Sequence, residues 1–133
     1  MNPRTSSLCM SRLGAMFLLL FSGLMVNLAY AKRAQAAKVK AVVDKGVRYE
    51  APNANGRQAV VEAWDVASGK KLWSVTVFKV VIKFYLEEDV QWVFIKALSV
   101  EAGKLVVISE DDQTYLVDLK SRAVTKADGK LIK

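Results

Sequence analysis

The chain has no histidine among its 133 residues. That absence removes Ser-His-Asp and Cys-His catalysis, His-ligated zinc and a simple histidine pH switch. Cysteine is almost as scarce: Cys9 is the only one. Nothing downstream of it can form a disulfide, so the rest of the chain must be held by packing even if it reaches an oxidising compartment. No phosphate-cradling loop, metal-ligand cluster or activated nucleophile stands out either. The one long apolar run, Leu13 to Leu28, is 16 residues and contains Gly14, Ser22, Gly23 and Asn27. It falls short of the roughly 20 apolar residues that a spanning helix needs.

What is present begins with an export pattern. Arg4 and Arg12 give a positive start, the apolar run follows, and Ala29-Tyr30-Ala31 offers small residues where a signal peptidase reads. Residues 1–31 are therefore expected to be a signal peptide, with Lys32 as the new amino terminus and a periplasmic or extracellular destination. Retention as an anchor is the rival reading. Lipidation is not expected, because Cys9 lies upstream of the apolar core rather than at the cleavage point. Cleavage would remove Arg4 and Arg12 and no acid, so the formal charge of +7 would fall to +5. The remainder has the size of one domain and holds no second apolar segment of helical character, so no membrane span is expected after cleavage.

Residues 32–40, KRAQAAKVK, carry four Lys or Arg and almost no large apolar side chain. They read as a flexible basic arm, with contact to an anionic surface as the functional alternative. From 41 to 133, β-branched and aromatic residues recur in short runs between turn residues, the pattern of consecutive antiparallel strands. Strands are expected near 47–51, 58–67, 71–77, 78–86, 90–100, 104–109, 113–119 and 122–126, with a short one at 39–43. Asn55-Gly56 is expected to supply positive φ for a hairpin turn. In the run 71–86 the apolar alternation changes phase between Val77 and Phe78, which calls for a β-bulge or a strand that bends between sheets. Leu105 to Ile108 is apolar at every position, so this strand is expected to be central and covered on both sides. The fold class is thus all-β: one small antiparallel domain, a sandwich or barrel of about seven or eight strands.

Asp65-Val66-Ala67-Ser68-Gly69-Lys70-Lys71-Leu72-Trp73 reads as strand, tight turn and strand, and is half-repeated from Asp118 to Val124. With Ala63-Trp64 before it, the first copy resembles the closing segment of the blade repeat of quinoprotein-type β-propellers. Gly103 to Ser121 resembles the repeat itself. The resemblance implies that Asp65, Ser68 and Gly69 shape the turn between a blade's last two strands and that Trp73 packs between blades. The second copy keeps Asp118 and Ser121 but has Arg122 for the glycine and Lys126 for the tryptophan. A closed propeller takes roughly four to eight blades of some 40–50 residues, and this chain has length for about two. Either several chains complete a ring, or the motif serves a small sandwich or barrel, the reading preferred. The family's quinone and calcium need a full ring, so no cofactor is expected.

For function, Trp64, Trp73 and Trp92 with the tyrosines and phenylalanines could form a stacking platform for sugars or bases, but aromatics at alternating strand positions are more often core. Lys70, Lys71, Lys79 and Lys83, with Lys96 and Trp92, are the candidate basic binding face. The acidic triplets Glu87-Glu88-Asp89 and Glu110-Asp111-Asp112 read as solvated turns rather than calcium sites. The expected role is an exported interaction or structural module without catalysis, self-associating or bound to an envelope protein through open sheet edges. Binding of an anionic polymer or glycan is the alternative, and specific nucleic acid is not expected. A carboxylate hydrolase, drawing on Glu62, Asp65, Glu87, Glu88, Asp89, Asp111 or Asp118 as a pair about 5–10 Å apart, is the remaining class.

Overall fold

A computed structural model describes residues 33–129; the expected signal peptide lies outside them. Eight strands follow one another: β1 Val42–Asp44, β2 Val47–Glu50, β3 Gln58–Asp65, β4 Lys71–Lys79, β5 Ile95–Glu101, β6 Lys104–Ser109, β7 Thr114–Asp118 and β8 Val124–Lys126. They form two four-stranded antiparallel sheets, β1-β2-β3-β4 and β5-β6-β7-β8, each paired in chain order. The domain is all-β, as the spacing of apolar runs implies. Among the described residues the single helical element is a 3₁₀ turn, Asp89–Gln91, and no helix is long and apolar enough to cross a membrane.

Turn chemistry explains the meanders. Lys45-Gly46 and Ala102-Gly103 each place two residues at positive φ, 47° and 78° in the first pair and 48° and 74° in the second. These are the left-handed values that join two strands through a two-residue hairpin. The Asp65 and Asp118 turns close the last hairpin of each sheet. In both, the aspartate carbonyl accepts a backbone bond four residues on, from Gly69 at 2.8 Å and from Arg122 at 2.7 Å. In both, its carboxylate accepts from the serine three residues on. The half-repeat in the sequence is therefore a repeat in space, and Arg122 takes the left-handed conformation, φ 63°, that Gly69 takes at 70°.

One core joins the sheets. Ala59, Val61 and Ala63 of β3 share a buried cluster with Leu105 and Val107 of β6 and Val117 of β7, and the last three and Val61 and Ala63 have no exposed surface. Phe78 stacks on Tyr115 with ring centroids 4.8 Å apart, worth about 0.5–1.5 kcal/mol beyond its burial. The phase change at residues 77–78 is a bulge: Val60 pairs with Thr76 and Ala59 with Phe78, leaving Val77 extra, and both Val77 and Phe78 are buried.

The structure corrects several expectations. The strand after the bulge stops at Lys79 instead of reaching 86, and β5 starts at Ile95 instead of 90. Apolar alternation over 80–86 has no partner strand to pair with, and the segment is a loop. Leu105 and Val107 are fully buried, but Val106 and Ile108 are half-exposed, so β6 is central yet covered on one side only. Gly56 has no positive φ. Instead it makes room for a ring, since an added Cβ would run into Cγ of Trp92. Trp73 is half-buried, tilted against Tyr49 at 6.0 Å. The basic segment has no regular structure, but it is not loose at Arg33: the guanidinium donates to the carbonyl of Trp92 and to Glu110 and lies 4.9 Å from the centre of the Phe94 ring.

Candidate functional site

The connection between the sheets, residues 80–94, carries the surface feature that most departs from an ordinary soluble fold. Val81 is 85% exposed, Phe84 97%, Tyr85 65%, Leu86 48% and Val90 55%. Scattered apolar side chains on a surface need no explanation, but a cluster of this kind marks an interaction site. Five such residues in one short loop are a cluster.

The loop is built, not merely left over. Gln91 accepts from the backbone N–H of Lys83 at 2.7 Å through its side-chain oxygen. Its side-chain nitrogen donates to the carbonyls of Lys83, Leu86 and Glu87 at 3.0, 3.2 and 3.1 Å. One side chain thus satisfies four backbone groups that a loop would otherwise surrender to water. Leu86 N–H closes the tip onto the Lys83 carbonyl at 3.2 Å. Phe84 and Tyr85 stand on that tip as an edge-to-face pair, centroids 5.5 Å apart.

Both ends of the loop are tied to the sheets. Val80 N–H bonds the Arg57 carbonyl at 2.7 Å and Val93 N–H the Gly56 carbonyl at 3.2 Å. Arg57 donates from Nε and Nη2 to the two carboxylate oxygens of Glu88, and this pairing holds the Glu88 carboxyl below its ordinary range. Asn53 bridges to β5, donating to the Ile95 carbonyl at 2.8 Å and accepting its N–H at 3.1 Å. Trp92 fills the space beside Gly56, with Phe94 edge-on at 6.3 Å.

The lysines that the sequence suggests as a basic face are dispersed. Lys71 and Lys79 sit at opposite ends of β4, about 26 Å apart at strand rise. Lys71 bonds Glu62 at 2.9 Å and lies 5.1 Å from the Trp64 ring centre, and Lys96 pairs with Asp112. Lys70 follows the Asp65 turn, and Lys83 is in the apolar loop. Trp92 is half-buried in packing. Asp65, Ser68, Gly69, Asp118 and Ser121 do share one role, turn formation, and Trp73 meets the second turn, with the Arg122 guanidinium 5.7 Å from its ring centre.

The carboxylates are largely committed to local structure. Asp65 and Asp118 hold turns, Glu62 holds Lys71, Glu88 holds Arg57, and Asp111 accepts from the Ser109 hydroxyl. A groove of about 1140 Å³ lies between segment 33–41 and loop 50–54 and is walled by Trp92 and Phe94. Of the seven carboxylates named from the sequence, Asp89 alone lines it. Glu50, which joins it there, is paired with Arg48 at 2.7 Å. Among the described residues no cluster of three metal-binding side chains occurs.

Sequence reasoning missed the apolar loop because Val81, Phe84 and Leu86 alternate well enough to read as strand. A signal was present in Glu87-Glu88-Asp89, which ends any strand, and in Gln91, the one polar residue able to fix the turn. No family model matches the chain, and no curated protein matches it.

Proposed function

We propose that this chain is a non-catalytic interaction module that works outside the cytoplasm and engages a partner protein through the apolar loop 80–90. The single observation that carries the reading is the combination of extreme exposure at Phe84 and Tyr85 with a loop fixed from within by Gln91. A preorganised loop loses little conformational entropy on docking, and aromatic residues are the usual anchors of protein contacts. The two successive four-stranded meanders with a shared closing turn support a blade-type architecture. The export pattern of residues 1–31 supports the location, and amino-terminal sequencing of the exported protein should begin at Lys32.

A photo-crosslinking residue at position 84 in cells producing the chain should give a discrete adduct with a second protein. The same residue at Val66, exposed in the Asp65 turn, should not. Gln91→Ala should weaken the adduct at 84 while leaving the melting temperature within a few degrees, because the side-chain bonds of Gln91 are all made within the loop and none reaches the core. No adduct at 84, or an equal one at 66, would overturn the reading.

A further inference from the structure

Aligning the two turns on Asp65 and Asp118 sets Ala63 against Leu116, Trp64 against Val117, Glu62 against Tyr115 and Lys71 against Val124. The sheets do not bury equivalent faces. Sheet one turns Ala59, Val61 and Ala63 into the core, the positions an even number of residues before its aspartate. Sheet two turns in Tyr115 and Val117, an odd number before its own. A pair of like units packed about a two-fold axis would present the same face to each other. Here opposite faces meet, so the contact is head-to-tail, and two units do not use it up.

Each sheet therefore keeps one packing face free. On sheet two it is the face equivalent to the one sheet one buries: Leu116, Thr114, Val106, Ile108 and Ala97, all half-exposed and uncharged, with Glu101, Lys104 and Asp118 confined to one end of it. On sheet one it is the face equivalent to the one sheet two buries. There Trp64 stands near the turn end of β3 with Val60 four residues away on the same face, the charges between them pair as Arg48–Glu50 at 2.7 Å and Lys71–Glu62 at 2.9 Å, and Lys79 lies opposite Gln58 at the far end.

We infer that a second copy of this chain covers the outer face of sheet two with the outer face of its sheet one, continuing the head-to-tail stacking seen inside the molecule. The internal junction between the sheets shows what a surface of this kind packs against: the opposite face of the same meander. Because the contact is heterologous it ends in a closed ring or runs on as a filament. Rings of sheets hold roughly four to eight, which corresponds to about two to four chains. This interface is separate from the loop 80–90, and its test does not depend on that loop's partner.

The measurement is the native mass of the protein recovered from cells expressing the full chain, for the wild type, Leu116→Lys and Trp64→Glu. A wild-type mass of about two to four chains is expected, and each variant alone should be monomeric. An equimolar mixture of the two variants should yield dimers and nothing larger, since one intact junction remains between an unaltered sheet-one face and an unaltered sheet-two face. Melting curves check that the variants fold; if Leu116→Lys fails to, Val106→Lys, on the neighbouring strand, replaces it. A monomeric wild type overturns the inference. So does loss of assembly in Leu116→Lys with none in Trp64→Glu, which would mean a two-fold contact of like faces, and so does a mixture that stays monomeric. Phe84→Ser should leave the mass unchanged, and a monomeric Phe84→Ser would overturn the assignment by placing self-association on the loop.

Discussion

Gly69 and Arg122 occupy the same turn position with nearly the same backbone, yet only one is a residue that adopts it freely. Holding a non-glycine residue there costs about 1–2 kcal/mol. Arg122 recovers part of that through its guanidinium over Trp73, worth about 0.5–1 kcal/mol at such a site. Gly69→Val should therefore lower stability by about 1 kcal/mol or more, near 4–8 °C in melting temperature for a domain of this size. Arg122→Gly should change it little, since relief of the backbone strain nearly offsets removal of the guanidinium from the Trp73 ring. Gly56 is a different case: its importance is space. Gly56→Ala drives a methyl into Trp92, and overpacking of that kind costs about 1–3 kcal/mol. A lowered melting temperature together with a shifted tryptophan emission is the expected result.

At the level of turns and strands, three half-buried carboxylates should contribute to the pH dependence of stability. The Ser68 hydroxyl and backbone lower the pKa of Asp65, the backbone N–H groups of Ser121 and Lys120 lower that of Asp118, and Arg57 lowers that of Glu88. A carboxyl depressed in the folded state stabilises fully above its unfolded pKa of about 4, and that stabilisation is lost as pH falls through the lower folded value. Melting temperature should be flat near neutrality and decline below about pH 4. Asp65→Asn and Asp118→Asn should flatten the decline; an unchanged slope in both would mean that these turns are not its source.

How far the elements could be read in advance follows from the same chemistry. The Asp65 and Asp118 turns were legible because their bonds are local, made within five residues, and the bulge at Val77 because a phase change is written into alternation. The end of β4 was not, since whether Val80 to Leu86 pairs depends on a neighbouring strand, and the chain supplies none. Nor was the one-sided burial of β6, because an apolar sequence records the capacity to be covered and not what covers it. The apolar loop, the candidate site itself, was hidden for the first of these reasons.

Across the whole molecule, each sheet is made of contiguous chain: β1 to β4 fall within residues 42–79 and β5 to β8 within 95–126. Hydrogen bonding within a sheet is accordingly between sequence neighbours, a low-contact-order arrangement that favours rapid folding. The sheets meet instead through side chains, Phe78 on Tyr115 and the shared core of β3, β6 and β7, together with the bridge from Asn53 to Ile95. Covalent continuity between the halves rests on the 80–94 connection alone. The backbone can therefore be interrupted there without dividing either sheet: two polypeptides cut between Tyr85 and Leu86, produced together, should reassemble into one folded body that elutes as a single species, each half acting as the template on which the other closes its core.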